Sequence, residues 1–248
     1  MNIAVVEDRD FDADTLFSFI EQYKKHYSLE LNLTLYKSGE DFLASAFETY
    51  HLVFMDIYLE EIDGVETARR ILEHNADCLI VFLTTSKEDI WRAVKIHACF
   101  DYIEKSSLNY LRIEEVLNSA WKKLRFRAKV LEFYSGKQKV RLPLSKIQYL
   151  VSHDKYTFIT LENGQVLRYR VTFSSLFSIL EKETHFLLCN RGILLNMDFI
   201  TRTNRETFIM ADGEAFPIRK RNRTAIIQMF NDHQFEKLNE QGDSSWIN

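Results

Sequence analysis

The sequence predicts two units in one chain: an α/β unit on a doubly wound five-stranded parallel sheet, followed by a mostly-β unit. Three observations predict this. Short apolar runs alternate with amphipathic stretches through residues 1 to 125, the pattern of successive β-α repeats. Beyond about residue 130 the apolar period shortens to two, and Asn163-Gly164 and Asp212-Gly213 supply hairpin turns. The charge also changes sign: residues 1 to 125 carry 14 Lys and Arg against 23 Asp and Glu, a net of −9, whereas residues 126 to 248 carry 18 against 13, a net of +5. Units of opposite sign have different partners, and the basic one suits a polyanion.

In the first unit, strands are expected at 2 to 6, 31 to 36, 51 to 56, 79 to 84 and 100 to 103, where the runs are short, β-branched or aromatic, and bounded by polar clusters. Helical patterns lie at 12 to 26, 39 to 47, 64 to 74, 88 to 97 and 108 to 125. In the last of these Ile113, Leu117, Ala120, Trp121 and Leu124 form an inward stripe, and Lys122, Lys123, Arg125, Arg127 and Lys129 complement the negative end of the helix. The helical pattern then fails. A first domain over 1–125, a short linker over 126–132, a second domain over 133–233 and a polar tail over 234–248 are therefore expected. Within the second domain, strands are expected at 137 to 142, 147 to 151, 156 to 161, 165 to 169, 193 to 195, 199 to 203, 207 to 210 and 214 to 218, with one helix at 173 to 180 and a further turn at Gly136.

A length of 248 residues with 46% hydrophobic residues can build real cores. No window approaches 18 uninterrupted apolar residues, and acids occupy the N-terminus where an export signal is basic, so a soluble, cytoplasmic protein without a membrane partner is expected. Cys78, Cys99 and Cys189 are odd in number and widely spaced, which indicates neither a disulfide framework nor a cysteine zinc site. The second half has no nucleophile–base pair and no phosphate loop, so no catalytic residues are assigned and the chain does not read as an enzyme.

The chemistry of the first unit gathers at strand ends. Glu7-Asp8 follows the run Ile3-Ala4-Val5-Val6, and Asp56 ends Leu52-Val53-Phe54-Met55 eight residues before Gly64. Three carboxylates converging at one edge of a parallel sheet repel one another unless a cation lies between them, and an all-oxygen set asks for a hard divalent ion, Mg²⁺. Thr84 and Lys105 stand at the ends of the next two strands, and together the set has the parts of a phosphoryl-transfer site. In this order the residues resemble the receiver domain of bacterial two-component response regulators, a flavodoxin-like fold. The resemblance implies that Asp56 is phosphorylated by a sensor histidine kinase, that Glu7 and Asp8 hold Mg²⁺ with Asp56, that Thr84 and Lys105 contact the phosphoryl oxygens, and that Tyr102 is an aromatic switch. Two residues depart from the family pattern, Glu60 and Ser106, each standing where a proline is usual. A cis bond to Ser106 costs about 3 to 4 kcal/mol, so a trans bond with Lys105 displaced, or visible strain, is expected. A phosphatase is disfavoured because Tyr58 stands where such enzymes need a second acid.

In the basic half, three polar segments interrupt the strands: Lys155-Tyr156-Thr157, Asn190-Arg191-Gly192 and Arg219-Lys220-Arg221-Asn222-Arg223. Arg and Asn make bidentate contacts with base edges and Lys and Arg hold phosphates, so such loops on one face suit a major groove. Phe186 to Asn196, Ile147-Gln148-Tyr149-Leu150 and Phe216-Pro217-Ile218 with the basic stretch after it resemble the LytTR DNA-binding domain. Receiver plus LytTR is similar to the regulators of peptide-pheromone quorum sensing, competence and bacteriocin production, the accessory-gene-regulator A group. That resemblance implies a phosphorylation-activated transcription regulator that forms a homodimer on phosphorylation and reads direct repeats in double-stranded DNA. Its base-contacting positions fall at Tyr156 or Thr157, Arg191 and Arg221, with Lys155, Lys220 and Arg223 on phosphates and Asn190 and Arg219 as departures that alter sequence preference. The alternative is a phosphorylation-gated module that binds protein or RNA.

Overall fold

The computed structural model describes residues 1–85, 91 and 99–240, which divide into two compact units, one over 1–124 and one over 125–238. In the first, strands β1 (Asn2–Val6), β2 (Asn32–Tyr36), β3 (Leu52–Asp56), β4 (Leu79–Thr84) and β5 (Asp101–Glu104) form one parallel sheet in the order β2-β1-β3-β4-β5. Helices α1 (Asp10–His26), α2 (Gly39–Leu43), α3 (Gly64–His74) and α4 (Tyr110–Ala128) accompany it.

The central strands β1, β3 and β4 are apolar on both faces because helices cover both, whereas the edge strand β2 exposes Asn32 and Thr34. Ile3, Val5, Leu52 and Phe54 pack with Leu16 and Ile20 of α1 and with Ile113, Val116 and Leu117 of α4. Ala4, Val6, Val53 and Met55 turn the other way, onto Phe42 of α2 and Ala68 and Ile71 of α3. The crossover from β1 outward to β2 on one side and to β3 on the other makes the carboxyl ends of β1 and β3 the place where the winding reverses, the crevice where such sheets bind ligands.

The second unit holds three sheets: β6 (Val130–Ser135) with β7 (Gln138–Pro143); a five-stranded antiparallel sheet in the order β10-β9-β8-β12-β11; and β13-β14-β15. The ranges are β8 Ile147–His153, β9 Tyr156–Leu161, β10 Val166–Tyr169, β11 Phe186–Asn190, β12 Ile193–Asn196, β13 Ile200–Thr203, β14 Thr207–Met210 and β15 Ala215–Pro217. Helix α5 (Phe173–Leu180) closes one face with Leu176 and Leu180 against Leu150, Ile159 and Leu194. Helix α6 (Arg223–Glu240) closes the other with Ile226 and Phe230 against Leu187, Leu195 and Phe208. Gly136, Gly164 and Gly213 take positive φ in the hairpin turns, where nothing but backbone freedom requires glycine.

The structure departs from the sequence expectation in four places. The helix expected over 39 to 47 ends at Leu43, because Ser45 turns its hydroxyl onto the Phe42 carbonyl at 2.6 Å, and a 3₁₀ turn follows at Phe47–Thr49. The stretch expected as a linker, 126–132, is ordered as the end of α4 and the start of β6, with Phe126 and Leu131 buried in the second unit's core. The expected polar tail begins inside α6, whose apolar residues at Ile226 and Phe230 are four apart and hold the helix to the sheet. Strands β6 and β11 were not anticipated. The helix expected at 88 to 97 and the residues 241–248 lie outside the described residues.

Candidate functional site

Asp56 is the last residue of β3 and is buried, with the Tyr58 backbone N–H donating to Oδ1 at 3.1 Å. Glu7, just past β1, is also fully buried. Burying two carboxylates requires a counter-charge, which Lys105 supplies from the end of β5. Its Nζ lies 2.8 Å from Asp56 Oδ2, 2.7 Å from Glu7 Oε2 and 3.1 Å from Asp12 Oδ2. The Lys105–Ser106 peptide is trans, and the Lys105 side chain reaches Asp56.

Two cations, the Lys105 ammonium and the Arg9 guanidinium 3.5 Å from Asp12, stand against four carboxylates here, those of Glu7, Asp8, Asp12 and Asp56, which leaves a formal excess of two negative charges. Donor oxygens of Glu7, Asp8 and Asp56 lie within 4.8 Å of one another, and the buried Asp8 Oδ1 has no hydrogen-bond partner. Burial pushes the Glu7 carboxyl up to about 7 against the pull of Lys105, and burial likewise raises Asp56. Lys105 loses some basicity to burial, but its bonds to Asp56 and Glu7 outweigh that and raise it. An all-oxygen set with an unpartnered acceptor and unbalanced charge fits Mg²⁺.

Gly64 explains the spacing from Asp56. It starts α3 and donates to the Ile57 carbonyl at 3.0 Å, and a Cβ there would sit 1.9 Å from the Asp56 carbonyl oxygen. The helix approaches the strand end this closely only without a side chain. Thr84 is fully buried at the end of β4, and Tyr102, half-buried on β5, packs against the α2–α3 side of the sheet. Asp12 was missed by the sequence reading; its signal was an acid in the first turn of α1, four residues after Asp8.

In the second unit, backbone and side-chain bonds bring the three polar segments together. Ser152, near the end of β8, donates to the Gly192 carbonyl at 2.8 Å, and the Arg219 N–H donates to the Cys189 carbonyl at 2.9 Å. Asn190 Nδ2 donates to the Pro217 carbonyl at 3.1 Å, while its Oδ1 accepts from the Arg191 N–H at 2.8 Å. Gly192 holds φ +72 with Ser152 Cβ 2.9 Å from where its own Cβ would be, so this turn admits only glycine. Lys155, Arg191, Lys220 and Arg221 are exposed around this junction.

The structure withdraws one predicted contact residue outright and reassigns others. Thr157 is fully buried and donates its hydroxyl to the Val171 carbonyl at 2.9 Å, because the residue after Tyr156 on β9 points to the opposite side of the sheet. Asn190 spends both polar ends on neighbouring backbone. Arg223 is half-buried, with Nη2 3.3 Å from the Ile218 carbonyl and Nη1 3.4 Å from Glu206. Arg219 is half-buried as well, and Tyr156 lies under the Arg168 guanidinium, 4.6 Å from its ring centroid. Cys189 is buried, and burial raises its thiol to about 12, as suits an inert cysteine.

Comparison with known families matches residues 3–117 to the response regulator receiver domain and residues 137–231 to the LytTr DNA-binding domain. The chain is a two-component response regulator of the receiver–LytTR type. Its domains are signalling and DNA-binding modules rather than enzymes. It is 26% identical over 214 residues to the transcriptional regulatory protein YpdB of Escherichia coli K12, covering 81% of this chain and 84% of YpdB. It is 33% identical over 167 residues to the transcriptional regulatory protein RprY of Bacteroides fragilis, covering 63% and 65% of the two chains. Among solved structures, the response regulator TrrA of Thermotoga maritima in complex with Mg²⁺-BeF matches 48% of this chain and 97% of its own with 24% identity and a TM-score of 0.40. The isolated receiver domain of RcsB from Salmonella enterica, in the presence of the phosphomimetic BeF₃⁻, matches 49% and 88% with 14% identity and a TM-score of 0.43. No helix among the described residues is long and apolar enough to cross a membrane.

Proposed function

We propose that a sensor histidine kinase phosphorylates Asp56 and that this modification gates the binding of the LytTR unit to double-stranded DNA. The observation that carries the proposal is the arrangement at the strand ends: Lys105 bonded to Asp56 and Glu7, beside an Asp8 oxygen with no partner. In the transfer, an Asp56 carboxylate oxygen bonds to phosphorus as the phosphorus–nitrogen bond of the kinase phosphohistidine breaks. Lys105 is in place to follow the negative charge from the carboxylate to the phosphoryl oxygens, and the Thr84 hydroxyl, at the neighbouring strand end, donates to another. Glu7, Asp8 and Asp56 hold Mg²⁺, which when bound neutralises the phosphoryl oxygens.

The phosphoryl group brings about −1.5 to −2 charge and three acceptor oxygens. That charge draws Thr84 and Lys105 toward it, and Tyr102 follows into the space behind Thr84. The reshaped receiver forms a homodimer, which tethers two LytTR units and raises their effective concentration over paired direct repeats. Arg191 and Arg221 read base edges in the major groove, Lys155 and Lys220 hold phosphates, and Asn190, Arg219 and Arg223 shape the loops that present them. Tyr156 carries Arg168 to the same edge.

Selection of randomised duplex DNA by wild type and Asp56→Ala, each with and without acetyl phosphate, tests this reading. A pair of short repeats enriched by phosphorylated wild type beyond the mutant is the expected result. No enriched sequence under any condition would overturn it in favour of a protein- or RNA-binding module.

A further inference from the structure

A second cluster of ligating side chains lies in the LytTR unit, made of residues to which the proposed mechanism gives no part. His185 precedes β11, Asp198 sits in the 3₁₀ turn Met197–Phe199, and His233 lies on α6. His185 Nδ1 is 2.8 Å from Asp198 Oδ2, and His233 Nε2 is 3.1 Å from Asp198 Oδ1, so two imidazoles aim at the two oxygens of one carboxylate. All three donor atoms fall within 4.8 Å of one another. Among the described residues, only the Glu7–Asp8–Asp56 set forms another group of this kind.

The orientation is held from several directions. Phe126 stacks flat on His185 at 3.6 Å between ring centroids, and the two imidazoles meet edge to face at 5.2 Å. The Asp198 N–H donates to Asn196 Oδ1 at 3.1 Å, and the Met197 N–H donates to the His185 carbonyl at 2.8 Å, which fixes the turn against the strand that carries the first histidine. Side-chain exposures of 19% for His185, 28% for Asp198 and 11% for His233 leave one open edge to solvent. Lys237 reaches that edge, with Nζ 3.6 Å from Asp198 Oδ1, but its side chain is 40% exposed and free to swing into water.

We propose that His185, Asp198 and His233 form a binding site for a borderline-soft divalent transition-metal ion, of which Zn²⁺ is the type. Zinc bonds to imidazole nitrogen and carboxylate oxygen of about 2.0 to 2.2 Å place tetrahedral donors roughly 3.3 Å apart, and donor atoms that all lie within 4.8 Å, with spacings of 2.8 and 3.1 Å to the two Asp198 oxygens, are within side-chain adjustment of that arrangement. Each histidine would present its Asp198-facing nitrogen to the metal, with any proton there released or shifted to the far ring nitrogen, and water would take the fourth position from the open edge. Two nitrogens and one carboxylate suit four-coordinate zinc or cobalt and hold magnesium poorly, whereas the all-oxygen receiver set suits octahedral ions and is filled by Mg²⁺ in excess, so coordination geometry separates the two sites. Bound metal pins α6, whose first residue closes the Arg219–Arg223 segment, to the sheet beneath it. The site therefore regulates how firmly that segment is held.

The test uses the untagged full-length protein in excess Mg²⁺, titrated with Co²⁺ and followed by visible absorption and thermal melting. The expected result is one equivalent of four-coordinate cobalt with intense d–d bands and no thiolate charge-transfer band. Zn²⁺ should displace it, and the melting temperature of the LytTR transition should rise. His233→Asn and Asp198→Asn should weaken binding by more than about a hundredfold, and Asp56→Ala should leave it unchanged. Wild type that yields no four-coordinate cobalt spectrum overturns the proposal, whatever the variants do, and leaves a hydrogen-bonded clasp. A thiolate band, or a spectrum that survives His233→Asn in a folded variant, overturns it equally.

Discussion

Glu7 makes the receiver's stability depend on pH in a direction opposite to that of most carboxylates. Its folded-state pKa is raised to about 7 by burial, from 4.5 in the unfolded chain. Between those values the native state binds a proton that the unfolded state has released, so stability falls as pH rises. The contribution is fully present below about pH 4.5 and is lost as pH passes through about 7. At about 1.4 kcal/mol per pH unit over that interval, the loss is on the order of 3 kcal/mol. Mg²⁺ bound at the acidic set would hold the carboxylate ionised in the folded state and remove Glu7's share of the slope. Calorimetric melting of the full chain in EDTA at several values between pH 5 and 7.5, repeated with Mg²⁺, separates the receiver transition and follows its midpoint. A midpoint that falls more steeply in EDTA than in Mg²⁺ is expected, the slope left in Mg²⁺ below about pH 6 belonging to Asp101, whose carboxyl burial raises to about 6. A level midpoint in EDTA would refute the reasoning, because it would mean that Glu7 is already ionised beside Lys105.

Gly64→Ala forces a Cβ to within 1.9 Å of the Asp56 carbonyl oxygen, where ordinary contact needs about 3.5 Å. It should cost about 3 kcal/mol and slow acetyl-phosphate labelling of Asp56 roughly a hundredfold, measured by phosphate-affinity electrophoresis. Thr157→Val removes the bond to the part-buried Val171 carbonyl, costing about 1 kcal/mol in denaturant unfolding with DNA affinity unchanged; a specific loss of binding would return Thr157 to the interface. Arg191→Ala should lose about 1 to 3 kcal/mol of discrimination between selected and scrambled sites, whereas Lys220→Ala should weaken both equally and lower the salt slope by about 1. Equal loss on all sequences from Arg191→Ala would demote it to a phosphate contact.

The chain order alone places Glu7, Asp8, Asp56, Thr84 and Lys105 at one edge, because in a parallel sheet every strand points the same way and each of these residues ends or closely follows a strand; Tyr102 lies inside β5. A strand's end can be read from where its apolar run stops. The five strands of the receiver and the reversal of charge between the halves are legible for the same reason: both are local properties of short segments. Loop-borne residues are different. Tyr156 and Thr157 are adjacent in sequence, yet strand pleat sends one to the edge near Arg168 and buries the other against Val171. Asn190 looks like a base reader until the approach of Pro217, 27 residues away, claims its amide.

What the sequence by itself determined is therefore the pair of domains, the acidic edge of the parallel sheet and the basic character of the second unit. Only the tertiary structure decided which basic residues stay exposed, that Asp12 joins the acidic cluster, and that 126–132 is ordered as helix and strand. It alone brought His185, Asp198 and His233 together. Their spacings of 13 and 35 residues match no local period, and their meeting depends on where a 3₁₀ turn and a terminal helix pack. Periodicity reports which face of an element is buried, but not which distant element comes to lie against it.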